Sequence, residues 1–384
     1  MRRNFRRPKV ALVHDHLVQD GGAEQVLREL MRIWPDAPVY TAYYDPRRMG
    51  PDFRRTGGSG RAHTGGKDIR TSYLQRLPLA RRFYKWTLPL IDGAFRRFDL
   101  SEYDVVVSSA SAWAKSVRTG PDTLHVCYCH TPTRYLWSDA DRYIGETGYP
   151  RVLKSAFRGM LGRLRKKDLR GARGVDAYVA NSRYVADRIK KYYRRPSVVI
   201  HPPVDSSKFG PSRKRGDYFL LAGRLEPYKR GDIVIEAANR LGARLVVMGD
   251  GTDRRRLEKL AGPTVEFTGR VSDARRKKLF AEADALINPQ EEDFGITVVE
   301  ALASGAPVLA YRRGGAAEIV TARAGAFFER QTPDAVAAAL RRFKPQRYRK
   351  ADLTARARDF SAARFRRALK THVDAELGSH ADRR

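Results

Sequence analysis

Residues 217–251 read DYFLLAGRLEPYKRGDIVIEAANRLGARLVVMGDG. An apolar run closes on Gly223, a polar turn carries Pro227, a helical stretch follows, and a second apolar run closes on Gly249-Asp250. Apolar runs of this length suit strands buried on both faces, and an intervening helix makes the two strands parallel. The same pattern recurs in VALVHDH (10–16), DVVVSSA (104–110), HVCYCH (125–130), DAYVANS (176–182), ALINPQ (285–290) and PVLAYR (307–312). Strand and helix in alternation predict an α/β protein with parallel sheets. The eight runs are too many for one sheet of ordinary width, so two doubly wound domains are expected. Prolines, glycines and a charge cluster in VVIHPPVDSSKFGPSRKRGD (198–217) put the boundary there, giving an N-terminal domain over 1–200 and a C-terminal domain over 201–361. Ligands of open α/β sheets bind outside the carboxyl ends of the strands, so two such domains facing each other would share one cleft.

The composition agrees with this reading. A chain of 384 residues suits two or three domains, and 42% hydrophobic residues exclude a disordered chain. Cys127 and Cys129 fall on one face of a strand but too far apart along it to bridge, so neither a disulfide framework nor a cysteine metal cage is on offer, and a reducing, cytoplasmic compartment is expected. The start, MRRNFRRPKVALVHD, imitates the basic region of a signal peptide, but its apolar stretch stops at His14-Asp15. Nowhere do about 18 apolar residues run unbroken, so any membrane contact is expected to be peripheral, on the inner face of the cell membrane. With 75 basic against 43 acidic residues the net charge is +32. That excess fits either a polyanionic neighbour or an arginine-rich coding bias. Residues 54–67, RRTGGSGRAHTGGK, are expected to form a loop. Over 151–171, Leu153, Phe157, Met160, Leu161 and Leu164 make a helical stripe among Lys154, Arg158, Arg165, Lys166 and Lys167. Such a helix lies on an anionic membrane or packs on a sheet.

Four groups of residues carry chemistry. Gly21-Gly22 follows the first run and opens a helical pattern, where backbone N–H groups and the helix dipole favour a phosphate. Arg224 and Lys229 follow a strand and would neutralise a diphosphate, Arg as a fork and Lys as a point charge. Glu292 and Glu300 flank Gly295; on one helix they would be about 80° out of phase, so one is read as a loop carboxylate and the other as a helix carboxylate. Carboxylates accept hydrogen bonds from sugar and ribose hydroxyls. His130 closes the HVCYCH run at a strand end. Asp139-Ala140-Asp141 imitates a metal motif but lies in a polar stretch, and no metal site is expected.

Taken together, GGAE (21–24), GRLEPYK (223–229), GDGTD (249–253), FTGRVS (267–272) and EEDFGITVVEALASG (291–305) resemble the group 1, or GT4-type, retaining glycosyltransferases of GT-B fold. VHDHLVQDGGAEQVL (13–27), DLSEYDVVVSSASAWAKSV (99–117), CHTPTRYLWS (129–138) and VANSRYVADRI (179–189) are similar to the bacterial mannosyltransferases that build polysaccharides and glycolipids. The resemblance implies two Rossmann-like domains, the N-terminal one on the acceptor side, and a last helix within 362–384 returning to it. It implies that Arg224, Lys229 and Gly22 hold the donor diphosphate. Glu292 would take sugar hydroxyls with main-chain help from Phe294 and Gly295. Glu300 would take the ribose, and Gly269, Arg270 and Val271 would border the base. His130 would lie near the transferred sugar, with Asp15 and Arg134 on the acceptor side. Asp293 stands where the commoner motif has glycine, a form associated with GDP-mannose users.

The expected reaction is therefore transfer of a hexose, mannose from GDP-mannose in the first place and a UDP-sugar in the second, to a lipid-linked or glycan acceptor. No cofactor is expected beyond the nucleotide sugar, because Arg224 and Lys229 would do a metal's work on the leaving diphosphate. A sugar-nucleotide epimerase or phosphorylase on the same fold is the nearest rival reaction. A nucleic-acid-binding protein is the rival of another class, favoured by the charge alone: the basic residues are dispersed and no RNA- or DNA-binding motif accompanies them.

Overall fold

The computed structural model describes residues 7–53, 66–77, 87–146, 151–214 and 216–382. The predicted loop at 54–67 lies, up to residue 65, outside the described residues. The chain divides into two compact units, one of residues 1–200 and 366–384, the other of residues 201–365.

In the first unit the strands are β1 (Val10–His14), β2 (Val39–Thr41), β3 (Ile69–Thr71), β4 (Val105–Ala110), β5 (Leu124–Cys129), β6 (Ala177–Ala180) and β7 (Val198–Val199). They form one parallel sheet in the order β3-β2-β1-β4-β5-β6-β7, so the direction of winding reverses between β1 and β4. The second unit holds β8 (Phe219–Ala222), β9 (Leu245–Met248), β10 (Val265–Gly269), β11 (Ala285–Asn288), β12 (Val308–Tyr311) and β13 (Gly325–Phe328). Its order is β10-β9-β8-β11-β12-β13, again parallel, with the reversal between β8 and β11. Each of the eight apolar runs became a strand. Val198 and Val199, expected to begin the linker, pair with Val179 and Ala180 instead, and the break between the units falls after Ile200.

Burial explains why the runs are continuous. In the second unit Leu220, Val246 and Leu286 face one apolar cluster while Leu221, Leu245, Val247 and Ile287 face another, the period-2 sorting of strands covered on both sides. In the first unit Cys127 and Cys129 share one core face, both buried and both free. The helix Arg151–Arg173 packs Phe157, Met160, Leu161 and Leu164 on that core. These four residues of the predicted stripe are thus spent inside the protein, the side chain of the fifth, Leu153, lying outside the described residues, while Arg158, Arg163, Lys166 and Arg170 are exposed. A buried ion pair ties the helix down: Lys115 Nζ lies 2.6 Å from Asp168 Oδ1, and Asp168 also accepts from Thr133 and from the Trp137 indole. Such a pair tolerates the loss of water because its remaining lone pairs are satisfied. The last helix, Ala362–Asp382, joins the first unit from Arg366 onward, where Arg366 pairs with Glu29. Among the described residues no helix is long and apolar enough to cross a membrane.

Candidate active site

In the second unit the turns after β8, β11 and β12 leave the sheet at its carboxyl end, and the first two flank the reversal point. There the structure brings together two of the predicted residues: Lys229 Nζ meets Glu292 Oε1 at 2.5 Å. Lys229 reaches this position because a short turn, Pro227–Lys229, follows β8 and folds the ammonium back over Gly223. Arg224, on the same turn, is exposed, and no carboxylate among the described residues pairs with it. Glu292 is a loop carboxylate and Glu300 lies on the helix Ile296–Ala303, as the phase argument expected. Phe294 is buried, and Gly295 has φ +109 at the helix start, a conformation that favours glycine.

Two glycines that the sequence reading passed over hold this loop. Gly315 N–H donates to the Glu292 carbonyl at 2.8 Å, and a Cβ on Gly314, whose φ is +72, would lie 2.4 Å from that same oxygen. Their signal was available, since Arg312-Arg313-Gly314-Gly315 follows β12 much as Gly21-Gly22 follows β1. Glu300 is 3% exposed and pairs with Arg276, which was also missed. Burial pushes the Glu300 carboxyl above the usual range, and Arg276 offsets part of that rise. Gly269 ends β10, with Arg270 exposed and Val271 packed on the core; no hydrogen bond among the described residues links them to the Lys229–Glu292 pair.

The first unit carries the remaining predicted residues. Gly22 begins the helix Gly22–Ile33. The Asp15 carboxylate accepts four backbone N–H groups, from Ser111, Ala112, Trp113 and Ala114, at 2.6 to 2.9 Å. Its lone pairs hold the turn after β4, so its evident work is to shape the end of that strand. Arg134 pairs with Asp139 at 3.5 Å, which ties up one acidic residue of the imitated metal motif. His130 follows β5, and its Nε2 lies 2.8 Å from Ser109 Oγ. Burial first, and the neighbouring His14 second, push the His130 imidazole down to about 4 against the opposite pull of Asp15 and Glu24, so the ring is neutral at pH 7. No group of three or more His, Cys, Asp or Glu among the described residues is placed to hold a metal ion.

Residues 20–208 match the family described as Glycosyltransferase Family 4, and residues 205–360 match Glycosyl transferases group 1. A GDP-mannose-dependent alpha-(1-6)-phosphatidylinositol dimannoside mannosyltransferase of Mycobacterium tuberculosis is 32% identical over 213 residues, which cover 50% of this chain and 56% of that protein. A GDP-mannose-dependent alpha-mannosyltransferase of the same species is 40% identical over 124 residues, 30% of this chain and 32% of that one. The chain thus spans about half or less of the length of these curated relatives. The solved sucrose-phosphate synthase of Thermosynechococcus elongatus superposes over 97% of this chain and 100% of its own, with a TM-score of 0.69 and 17% identity. The chain belongs to the group 1, GT4-type glycosyltransferases, built on the GT-B fold.

Proposed function

We propose that the protein transfers a hexose from a nucleotide sugar, GDP-mannose in the first place, to a hydroxyl of a lipid-linked or glycan acceptor, with retention at the anomeric carbon. The observation that carries the reading is the Lys229–Glu292 pair at the reversal point of the second sheet, with Arg224 on the same turn. It sets a cation suited to pyrophosphate beside a carboxylate suited to hydroxyls, where α/β sheets receive ligands. The names of the two mycobacterial relatives favour GDP-mannose over other donors.

In the reaction the bond from the sugar's anomeric carbon to the β-phosphate oxygen breaks, and the acceptor oxygen bonds to that carbon on the same face. The acceptor's proton passes to the departing phosphate. Arg224 and Lys229 meet the negative charge as it develops, the work a metal ion would otherwise do. Lys229 leaves Glu292 for the phosphate, and Glu292 is then free to accept from sugar hydroxyls beside the main chain of Phe294 and Gly295. Glu300 takes the ribose hydroxyls, and Gly269, Arg270 and Val271 border the base; in the first unit the helix end at Gly22 is the candidate source of N–H groups for phosphate. In the first unit His130 is the candidate contact for the transferred sugar, and Arg134 the candidate for the acceptor. No cofactor takes part, and the setting is the cytoplasmic face of a membrane that supplies the acceptor.

The test is a panel of GDP- and UDP-sugars assayed for slow hydrolysis and transfer, with and without EDTA. Release from GDP-mannose, unchanged by EDTA, is expected. Either Lys229→Ala or Arg224→Ala should lower kcat/KM by roughly 10²–10³, on the scale of a deleted oxyanion donor. Glu292→Ala should abolish transfer while GDP still binds in calorimetry. Near-normal turnover in both cation variants, or hydrolysis of UDP-sugars alone, would overturn the assignment.

A further inference from the structure

Three neighbouring strands of the first unit each place one polar side chain at the carboxyl end of the sheet. His14 ends β1 and is in register with Ser109 of β4; Ser109 is in register with Tyr128 of β5, and His130 lies two residues beyond Tyr128. Side chains two apart on a strand share a face, so His14, Ser109 and His130 meet. Ser109 Oγ lies 3.1 Å from His14 Nδ1 and 2.8 Å from His130 Nε2. On the far side His14 Nε2 lies 3.5 Å from Glu24 Oε1, the longest link, while Glu24 Oε2 accepts from Gly21 N–H at 2.8 Å. His14, Ser109 and Glu24 are 2%, 0% and 1% exposed, so water does not substitute for any of these partners.

Counting hydrogens gives the chain a direction. An ionised carboxylate only accepts, so His14 Nε2 carries a hydrogen; Glu24 stays ionised because His14 and His16 outweigh the burial that opposes it. When His14 holds one proton its Nδ1 is bare and takes the single hydrogen of Ser109. Ser109 Oγ must then accept from His130 Nε2–H, which leaves Nδ1 of a neutral His130 bare. Among the described residues nothing hydrogen-bonds that nitrogen.

We propose that Glu24, His14 and Ser109 are positioning residues that lock His130 in the Nε2–H tautomer, so that its Nδ1 presents a hydrogen-bond acceptor to a hydroxyl of the sugar being transferred. The role of the sugar rests on the glycosyltransferase reading above; the lock does not. Groups that face His130 from the adjoining elements are His14 and Asp15 from β1 and the residue after it, and Glu24 from the following helix.

Selective ¹⁵N-histidine labelling at pH 8 reads the lock directly, with His130 identified by its loss in His130→Gln. In the wild type its Nε2 should be the protonated nitrogen. In Glu24→Gln the amide would keep its oxygen on Gly21 and turn its NH₂ toward His14, so every hydrogen in the chain reverses and His130 should switch to the Nδ1–H form. Ser109→Ala should break the chain and give a mixture of tautomers. In the transfer assay Ser109→Ala should lower kcat about tenfold with little change in KM, and should have no further effect in a His130→Ala background. An Nδ1–H tautomer in the wild type, an unchanged tautomer in folded Glu24→Gln, or losses that add in the double variant would overturn the lock. Should no nucleotide sugar be turned over while the tautomers behave as described, the glycosyltransferase reading fails and the lock stands.

Discussion

His125 lies in β5 and His130 directly follows it, and both imidazoles are pushed down to about 4, chiefly by burial. Their partners differ. His125 is enclosed: its Nδ1 faces the Gly174 carbonyl, which only accepts, so its Nε2 must take the hydrogen of Ser108 at 2.9 Å. A second proton would put a charge on a fully enclosed ring, and burial outweighs the pull of Asp176, so the folded state disfavours it. Between about pH 6.5 and 4 the unfolded chain binds a proton that folded His125 does not, and stability falls as pH falls through this window. Full loss would be on the order of 3 kcal/mol for His125 alone. Urea unfolding at pH 7.5 and pH 4.5 should show the drop, and His125→Gln, which retains a donor and an acceptor, should flatten it. The end position of His130 was legible because it closes an apolar run. Its partners were not, because His14 and Glu24 lie more than 100 residues away along the chain and only sheet register brings them near.

Elements decide how the Glu292 loop is held. The turn after β12 approaches the Glu292 carbonyl so closely that Gly314 is excluded from carrying a side chain both by space and by its left-handed backbone. Gly314→Ala should therefore cost about 1–3 kcal/mol and displace Glu292, lowering transfer. Gly378→Ala is the control: that glycine is exposed on the last helix with open space around it, and the change should raise stability by about 0.4–1 kcal/mol. Thermal unfolding of the two variants checks both signs, and equal behaviour would remove the close-approach argument. The strands that sequence reading found all lie inside their sheets, with a neighbour on either side. Those it passed over are β2, β3, β7, β10 and β13; β3, β7, β10 and β13 are sheet edges, where β10 is half-exposed and β13 opens on Gly325. An edge strand needs no continuous apolar run, and β2 and β7 are too short to show a period. The Lys229–Glu292 contact was legible only as two strand-end residues. Arg276 and the Gly314-Gly315 hold on the loop needed the fold.

At the scale of the whole molecule the net charge of +32 fits a polyanionic neighbour or an arginine-rich coding bias, and vesicle binding separates the two. The helix Arg151–Arg173 gives its apolar side to the core and turns Arg158, Arg163, Lys166 and Arg170 outward, while Asp168, its one acidic residue, is buried. Attraction to an anionic bilayer would thus be electrostatic rather than by insertion of that stripe. Cosedimentation with phosphatidylserine vesicles should be strong at about 0.05 M salt and weak at about 0.5 M, as screening shortens to a few ångströms. Charge reversal at Arg158, Arg163 and Lys166 should reduce it, and equal recovery with neutral vesicles would exclude this mode. Retention on any DNA with the same salt slope would favour the nucleic-acid alternative instead. The two native thiols, Cys127 and Cys129, both lie inside the first sheet's core. A maleimide dye should therefore find a single thiol engineered on the surface while the native pair stays silent, so fluorescence reporters can be attached without first rebuilding the protein's interior.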